Sequence, residues 1–354
     1  MEFGITLPTK ADSWKIAKRA EELGFTHAWF YDSASLKADV FVAMGAAAVT
    51  TSRIKLCAGV LTPSNRLPQV AASGLASLNA LAPGRIMAGY GTGFTARRTL
   101  GLPPVTQKKM EAYIRAVEGL LRGEIVRFEM EGKTAITRLM SVDEGLINIA
   151  DPIPTHISAF GPKGRELTAR LGAGWIGTHS VPEEEAAGLD DMRAQWERHG
   201  RDFNGLYSTM VAAGCVLDDD ESYDSPRVRA QAGPIAAVLF HNFIEQEAFG
   251  TALSEASFPF HKELEEYRKV YESYQPAETR HLSNHRGHLM FLRPDETHLT
   301  GEMIRALSFS GTRDELVERI RGVRDMGYSQ IAFGLPPGQE EDLMVRWQSV
   351  IAEV

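Results

Sequence analysis

Residues 17–33, AKRAEELGFTHAWFYDS, contain the pattern on which the fold prediction rests. An amphipathic helical pattern ends at Gly24, and a short apolar run follows within a few residues. Glycine at the end of a helix is typical of a left-handed cap, so the pattern indicates a helix that is followed by a strand. The same joint occurs again in AVTTSRIKLCAGV (48–60), LNALAPGRIMAGYG (78–91), ELTARLGAGWIGTH (166–179) and IRGVRDMGYSQIAFG (320–334).

The chain contains eight short apolar runs, most of them followed by helical periodicity: residues 3–7, 27–31, 54–60, 86–90, 155–160, 174–177, 209–216 and 330–334. Strands that alternate with helices predict βαβ units and a parallel sheet, since a parallel crossover needs a dozen or more residues. Eight such units predict an α/β protein with a closed (β/α)8 TIM barrel. The alternative is an open doubly wound sheet with GYGTGF (89–94) as its glycine-rich turn. That turn follows the fourth run and leads to a loop and a helix, not to a strand that ends in an acid.

Length leaves the number of domains open, because 354 residues suit two average domains or one barrel. We expect a single TIM-barrel domain over residues 1–354. Two segments interrupt its repeat: residues 123–154 are predicted to be a short extended insertion, and residues 218–300 a helical and histidine-rich insertion. Because insertions in barrels usually lie on the C-terminal face, residues 218–300 are expected to wall the active site and to set substrate choice.

Composition and charge exclude several classes of protein. With 44% hydrophobic and 24% charged residues the chain is typical of globular proteins. Its net charge of −8 provides no basic surface for nucleic acid or anionic lipid. The two cysteines, Cys57 and Cys215, form no CxxC motif, and neither a signal peptide nor a run of about 18 apolar residues is visible. We expect a cytoplasmic protein that binds neither nucleic acid nor membranes.

The carboxyl ends of the predicted strands define the candidate site, because a parallel barrel presents its active-site loops on that face. Glycine recurs at nearly all of these ends. Backbone without a Cβ lets a flat ligand approach closely and suggests a planar cofactor; the alternative is that the glycines relieve crowding where strands bend into loops. The candidate cofactor-binding residues are Gly59, Val60, Leu61, Thr62, Tyr90, Gly91, Thr92, Gly93, Gly161, Pro162, Lys163, Gly164 and Thr178.

FGPKGREL (160–167) is the candidate phosphate site. A strand, a Gly-Pro turn and a helix start place backbone N–H groups and the positive end of a helix dipole at one point, with Lys163 and Arg165 nearby as cations. The helix start after Thr178 and Ser180 could share the same anion. The alternative is that Pro162 and Gly164 only shape a helix start with solvated charges.

Among the histidines, His179 follows a predicted strand and is the candidate general acid or base. His27 and His156 begin strands, on the opposite face. The alternative for His179 is a hydrogen-bonded loop residue. Asp32 is a second polar candidate, although an aspartate at a strand end often caps the next helix.

The insertion holds three histidines, His281, His285 and His288, whose spacing of four and three would place them on one helix face. A barrel metalloenzyme is therefore an alternative function. Gly287 favours a loop instead, in which these histidines line a pocket or bond to backbone. The insertion also brings aromatic residues that could wall an apolar pocket or form a helix core: Phe240, Phe243, Phe249, Phe258, Phe260, Tyr267 and Tyr271.

Motifs for hydrolytic chemistry and nucleotide binding are missing from the sequence. There is no GxSxG, no HExxH and no P-loop. The absence of these parts favours a bound cofactor that carries the reaction.

Several blocks, in this order and spacing, resemble the bacterial luciferase-like flavin-dependent oxidoreductases, and in particular the branch of methylenetetrahydromethanopterin reductase and other deazaflavin (F420) enzymes. The blocks lie at residues 17–33, 58–93, 101–124, 157–176 and 308–328. The resemblance implies a (β/α)8 barrel with reduced F420 or FMN at its C-terminal mouth and the cofactor phosphate near GPKG. It implies an oxidoreductase that transfers hydride or, as a monooxygenase, inserts oxygen into a small organic substrate, and it suggests a homodimer.

GVLTP (59–63) looks like the family's GVTNP, where a bulge, often with a non-prolyl cis peptide, backs the ring of the cofactor. The match places this bulge at Gly59-Val60. Many relatives carry Asp-His at the end of the second strand, whereas this chain has Asp32-Ser33. Either Ser33 only hydrogen-bonds the ring or the substrate, or another group such as His179 or His241 donates the proton. A non-catalytic flavin-binding or scaffold barrel is a further alternative.

Overall fold

The computed structural model describes residues 1–248 and 258–354. Its strands are β1 (Glu2–Leu7), β2 (His27–Phe30), β3 (Lys55–Leu61), β4 (Ile86–Tyr90), β5 (Val126–Met130), β6 (Lys133–Thr137), β7 (Thr155–Ser158), β8 (Gly174–Thr178), β9 (Ser208–Ala212), β10 (Val216–Leu217), β11 (Gly311–Thr312) and β12 (Gln330–Gly334). Its helices are α1 (Trp14–Glu22), α2 (Val40–Thr50), α3 (Pro68–Leu81), α4 (Phe94–Arg98), α5 (Gln107–Leu121), α6 (Pro162–Leu171), α7 (Pro182–Arg198), α8 (Pro226–Ala248), α9 (His261–Ser273), α10 (Arg280–His285), α11 (Gly301–Leu307), α12 (Arg313–Met326) and α13 (Glu340–Ile351).

Eight of the strands close into a barrel in the order β1-β12-β9-β8-β7-β4-β3-β2. Neighbouring strands pair in parallel; for example, Trp29 lies opposite Cys57, and Gly89 lies opposite His156. The prediction of a (β/α)8 barrel is confirmed, and the open-sheet alternative is wrong. Because the strands run in one direction, their carboxyl ends meet on one face of the barrel.

The seventh predicted strand is shorter than its apolar run. β9 ends at Ala212, whereas the run continues to residue 216. Beyond β9 the backbone pairs with a different segment, because Phe309 N donates to the carbonyl oxygen of Ala213 at 2.9 Å and Gly311 N donates to that of Cys215 at 3.3 Å. An apolar run indicates that a segment is buried but not which segment it pairs with, so the sequence did not predict the change of partner.

The extended insertion over residues 123–154 contains a β-hairpin. β5 and β6 pair antiparallel, with Met130 opposite Lys133. Glu131 and Gly132 connect them and both have positive φ, 53° and 73°. Two successive positive φ angles are typical of the type I′ turn, whose twist matches that of the two strands.

Contacts divide the chain into two compact units. The first comprises Met1–Ala96, Pro104–Val211 and Tyr328–Ala332; the second comprises Arg97–Pro103, Ala212–Gly327 and Phe333–Val354, of which residues 249–257 are not described. The single domain over residues 1–354 therefore stays a prediction, as does the active-site wall formed by residues 218–300.

An apolar layer fills the barrel interior of the first unit. Its polar neighbours are satisfied, since Trp29 Nε1 and Thr209 Oγ1 both donate to Gln330 Oε1, at 2.9 and 3.2 Å. The layer consists of Trp29, Cys57, Met87, Ile176 and Ala332, with Val60 and Val211 packed against it.

In the second unit the aromatic residues of the insertion form a helix core. Phe240 and Tyr267 are fully buried. The Phe258 ring lies 5.2 Å from the Phe240 ring and 4.4 Å from the Phe243 ring, between centroids. These mutual contacts favour the core interpretation over a pocket wall, and Phe249 lies outside the described residues.

Two buried histidines lie at the amino ends of their strands, as expected. His27 Nδ1 bonds to Thr26 Oγ1 at 2.8 Å. The His156 ring stands edge-on to Trp29 and Tyr207, with centroids 5.6 and 5.5 Å apart. Burial lowers the pKa of each of these two histidines to about 4, so both rings are neutral at pH 7.

Acidification from pH 7 to pH 5 is expected to lower the free energy of unfolding, with His156 contributing about 2 kcal/mol. An unfolded histidine with a pKa of 6.5 takes up a proton in this interval, whereas folded His156, with a pKa of about 4, does not. Urea denaturation at both pH values should therefore show a smaller acid-induced loss for His156→Gln than for the wild type. Equal losses would contradict the assignment.

Candidate active site

The candidate site lies at the carboxyl ends of three neighbouring barrel strands. β3, β4 and β7 are adjacent in the barrel. Gly59 lies near the end of β3, Gly91 directly follows β4, and Gly161 follows β7 by three residues. The three strand-end glycines predicted to share one mouth are therefore on the same face.

β3 ends in a bulge at the predicted position. The Gly59-Val60 peptide is cis, and the register between β3 and β4 shifts between Ala58 and Leu61. Gly59 and Val60 are both partly exposed, while Leu61 and Thr62 are buried. The placement of the bulge is confirmed, and only its first two residues present surface to a ligand.

The glycines of β4 are explained by the close approach of Val60. A Cβ at Gly89 would lie 2.5 Å from the carbonyl oxygen of Ala58 and 2.9 Å from Val60 Cγ1. A Cβ at Gly91 would lie 2.6 Å from Val60 Cγ2. Both distances to Val60 are too short for any real side chain, so the crowding interpretation is correct at these two positions.

Gly161 differs from the two glycines of β4. A Cβ built there would meet no atom of the described residues within 4 Å, apart from its chain neighbours. Gly161 has extended backbone angles (φ −111°, ψ 166°) and is followed by Pro162 at the first position of α6. Packing within the described residues therefore does not require glycine at this position, and the space beside Gly161 is open to a ligand.

The two cations predicted beside Gly161 have different surroundings. Arg165 Nε is 2.5 Å from Asp191 Oδ2, and Arg165 Nη1 donates to the carbonyl oxygen of Phe160 at 2.8 Å. Lys163 is exposed in the first turn of α6. No side chain of the described residues caps this helix start. Lys163 and the end of the helix dipole thus remain the candidate anion-binding features.

The remaining candidate cofactor residues divide by exposure. Tyr90 is buried, its ring lies 6.3 Å from that of Tyr113, and burial raises the pKa of its phenol well above the usual value. Its hydroxyl therefore stays neutral and is not presented at the surface. The buried candidates are Leu61, Thr62, Tyr90, Gly91, Gly93 and Gly164; the exposed or partly exposed ones are Gly59, Val60, Thr92, Gly161, Pro162, Lys163 and Thr178.

Asp32, two residues beyond β2, is held in an ion pair that the sequence did not predict. Arg66 Nη1 lies 2.8 and 2.7 Å from the two carboxylate oxygens of Asp32, and Asn65 Nδ2 donates to Oδ2 at 3.2 Å. A second Arg66 nitrogen donates to Asp39 Oδ2 at 2.6 Å. Asp32 thereby joins the loop after β2 to the loop after β3. Its catalytic role stays a prediction.

Thr6 and Tyr31 form a hydroxyl pair at the ends of β1 and β2, with 2.7 Å between Thr6 Oγ1 and the Tyr31 phenol oxygen. Thr9 Oγ1 donates to the carbonyl oxygen of Tyr31 at 2.7 Å. Burial raises the Tyr31 pKa, which keeps the phenol protonated and able to donate. Ser33, two residues later, is partly exposed.

His179 directly follows β8 and carries a carboxylate partner. His179 Nδ1 is 2.6 Å from Glu185 Oε1, and Ser180 N donates to the same oxygen at 2.9 Å. The first turn of α7 carries Glu183 and Glu184 as well as Glu185. Three carboxylates oppose a phosphate at this helix start, so a shared anion beside Thr178 is electrostatically disfavoured.

His241, the other candidate proton donor, is buried on α8 in the second unit. Its Nε2 is 2.7 Å from Glu296 Oε1. Burial, followed by the positive charge of Arg293, lowers the pKa of His241 well below its usual value. The ring is neutral at pH 7, and its catalytic role stays a prediction.

The metal alternative is wrong for the part of the chain that the structure describes. There, no group of three or more His, Cys, Asp or Glu side chains could hold a metal ion. His281 and His285 do lie on a helix, α10, contrary to the expected loop. His285 Nε2 faces Glu245 Oε1 at 2.8 Å, and the His288 ring lies 5.2 Å from the His285 ring.

Comparison with known proteins identifies the family. The family model described as luciferase-like monooxygenase matches residues 1–330. The chain belongs to the luciferase-like monooxygenase family. The resemblance that the sequence blocks indicated is thereby confirmed.

The luciferase-like chain is 25% identical, over 350 residues, to a 5,10-methylenetetrahydromethanopterin reductase of Archaeoglobus fulgidus, covering 96% of this chain and 95% of the relative. Its fold is similar to that of the coenzyme F420-dependent tetrahydromethanopterin reductase of Methanopyrus kandleri, with a TM-score of 0.69, 23% identity and coverage of 99% and 98%. It is also similar to an F420-dependent secondary alcohol dehydrogenase in complex with an F420-acetone adduct, with a TM-score of 0.70, 16% identity and coverage of 100% and 98%.

No helix in residues 1–248 and 258–354 of this family member combines the length and the apolar character needed to cross a bilayer.

Gly91→Ala is expected to lower the free energy of unfolding by about 1–3 kcal/mol, because the new methyl group would collide with Val60 Cγ2. The matched control is Gly322→Ala on α12, where a Cβ meets no described atom within 4 Å. That change should raise the free energy of unfolding by about 0.5–1 kcal/mol, since alanine is the better helix former. Urea denaturation measures both. A stabilising Gly91→Ala would contradict the close packing.

Proposed function

We propose that the protein is an oxidoreductase that binds a reduced flavin-type cofactor, F420 or FMN, at the carboxyl ends of β3, β4 and β7. One observation carries the proposal: a partly exposed bulge at Gly59-Val60 lies on the same barrel face as an uncapped helix start beside the open position Gly161. The bulge offers an apolar surface for a flat ring, and the helix start offers the positive end of a dipole for its phosphate.

Each group of residues would contribute differently to binding. Gly59 and Val60 would support one face of the ring. Lys163 and the first turn of α6 would hold the phosphate, and partly exposed Thr92, which follows β4, would contact the cofactor. When bound, the cofactor supplies hydride or activated oxygen, and the protein contributes orientation and the exclusion of water.

F420 with hydride transfer is the favoured form of the proposal. The Archaeoglobus fulgidus relative, which aligns with 96% of the chain, is named a reductase. The two similar structures are named as F420-dependent enzymes. The substrate would be a small organic molecule with an electrophilic C=O or C=N carbon. FMN with oxygen insertion is the alternative, because FMN-dependent members share much of the sequence pattern.

His179 is the proposed proton-transfer group, because it is partly exposed beyond β8 and has a carboxylate partner. Ser33 would only hydrogen-bond the ring or the substrate. We retain residues 218–300 as the proposed determinant of substrate choice, since insertions between barrel strands commonly vary with substrate.

Titration with F420 and with FMN, followed by absorption and fluorescence, tests the cofactor. Micromolar binding of F420 is expected, and binding of neither cofactor would overturn the proposal. A preference for FMN would replace hydride transfer with oxygen insertion. Lack of consumption of the bound reduced cofactor with a panel of carbonyl and imine compounds would favour a non-catalytic barrel.

Lys163→Gln is expected to weaken cofactor binding about tenfold or more, because a charged hydrogen bond to phosphate is lost. Lys133→Gln is the matched control, since Lys133 is exposed on the β5–β6 hairpin away from α6 in sequence. The dissociation constants from the same titrations measure the effect. Equal weakening by both changes would argue against a phosphate contact at Lys163.

We also propose that the protein is a homodimer through α2 and α3. Neither helix contains a charged residue. Val42 and Val49 on α2 are 64% and 65% exposed, and Val70 on α3 is 50% exposed. Because the chain has a net charge of −8, two copies repel each other over most of their surfaces. A second copy can approach the uncharged face of α2 and α3 without this charge repulsion. Contact between that apolar face and water is also unfavourable, so association would remove it from water.

Val42→Asp combined with Val49→Asp is expected to convert the dimer to a monomer, because the change buries unpaired charge in the proposed interface. Leu146→Asp, at a side chain 69% exposed outside both helices, is the control and should leave a dimer. Sedimentation velocity at micromolar concentration measures the mass. A wild-type monomer would refute the proposed dimer.

Both cysteines, Cys57 and Cys215, are buried free thiols. Free thiols persist where the surroundings are reducing. We propose a cytoplasmic location on this basis.

A further inference from the structure

We propose that Glu185 is a positioning residue that holds the His179 imidazole with its hydrogen on Nδ1, so that protons are exchanged with substrate at Nε2. The tautomer assignment stands on the geometry of the first unit alone. The use of that proton in a reaction rests on the proposed function.

The contact between the two side chains is short and sheltered. His179 Nδ1 is 2.6 Å from Glu185 Oε1, the His179 side chain is 15% exposed, and that of Glu185 is 3% exposed. An ionised carboxylate has acceptor oxygens only, so a hydrogen bond to it requires the hydrogen on Nδ1. Nε2 is then the nitrogen of neutral His179 that carries the lone pair.

Glu185 does not serve as an ordinary cap of α7. The amide nitrogens of Glu184 and Glu185 donate to the carbonyl oxygen of Val181, at 3.0 and 3.1 Å. The Glu185 carboxylate instead accepts from the backbone of Ser180, which precedes the helix, and from the ring of His179. A helix cap would accept from amides inside the first turn.

The two acids before Glu185 differ from it in exposure. Glu183 and Glu184 are exposed, and Glu184 bonds to the Ser180 hydroxyl. Glu185 alone of the three is buried. Burying a carboxylate costs free energy unless its partners compensate, and the partners here are two N–H donors at the end of β8.

The backbone of His179 is fixed as well as its ring. His179 N donates to the carbonyl oxygen of Val211 at 2.8 Å, which extends the pairing of β8 with β9 by one residue. Thr178 lies opposite Val211 in the same pairing. With backbone and Nδ1 both held, the imidazole cannot turn over without breaking the bond to Glu185, and preorganisation of this kind favours proton transfer.

The proton balance follows for a C=O or C=N substrate. A bound reduced cofactor would supply hydride, with its two electrons, for the electrophilic carbon, and the C=O or C=N π electrons would then reside on oxygen or nitrogen. Protonated His179 gives its Nε2 proton to that atom and returns to the neutral form with its hydrogen on Nδ1. Throughout, the Glu185 carboxylate keeps its hydrogen bond to Nδ1 and does not take the proton.

Nitrogen-15 NMR of the histidine ring tests the tautomer without substrate or cofactor. The signal of His179 is identified by its loss in His179→Gln. We expect the Nδ1–H tautomer in the wild type and in Glu184→Gln, the matched control one residue away. In Glu185→Gln the amide can donate to Nδ1, so the Nε2–H tautomer should gain population. A wild-type Nε2–H tautomer, or an unchanged tautomer in Glu185→Gln, would overturn the proposal.

Turnover measurements separate this proposal from the proposed function. Glu185→Gln is expected to lower kcat about 10- to 100-fold with KM and the cofactor dissociation constant unchanged, whereas Glu184→Gln retains wild-type turnover. A normal kcat in Glu185→Gln, despite a changed tautomer, would overturn the catalytic use of His179. If the wild type binds neither F420 nor FMN, the proposed function fails while the NMR result still decides the tautomer.

Discussion

The close contact between Val60 and the glycines of β4 constrains the whole mouth of the barrel. The Val60 side chain lies so close to Gly89 and Gly91 that a Cβ built on either glycine would be less than 3 Å from a Val60 methyl carbon. Interiors packed to this density do not adjust to added atoms without strain. The contact therefore determines how β3 and β4 end, and which surface the bulge presents. Val60 also packs against the apolar layer of the barrel interior.

Around this apolar surface the polar groups are held by partners and do not rotate freely. Arg66 bridges Asp32 and Asp39, and Glu185 bonds to both His179 and Ser180. Fixed polar groups need no reorganisation when a reaction begins, which is what a protein contributes when a cofactor supplies the chemistry. Lys163 differs from these groups, because it is exposed in the first turn of α6.

In the described part of the second unit, histidines and acids are buried without forming a metal site. Arg98 and Glu245 make an ion pair of 3.1 Å, and both side chains are almost fully buried. Glu245 also accepts from Asn284 at 2.7 Å. Nearby His241 is neutral, because burial lowers its pKa well below the usual value, and Glu245 and Glu296 each have a cationic or amide partner. The described residues of this unit contain no group of three such side chains that could hold a cation.

The sequence by itself determined the eight barrel strands, the bulge at Gly59-Val60 and the helix start at Gly161, because each depends on a local pattern of apolar residues, glycine and proline. It also carried the family resemblance. Only the tertiary structure decided the partners: Arg66 reaches Asp32 across 34 positions of the chain, and β9 changes its partner after Ala212. Glu185 is close to His179 in sequence, but three successive glutamates at a helix start are also typical of an acidic first turn. Which of them is buried, and which atom it faces, depends on packing that no local pattern encodes.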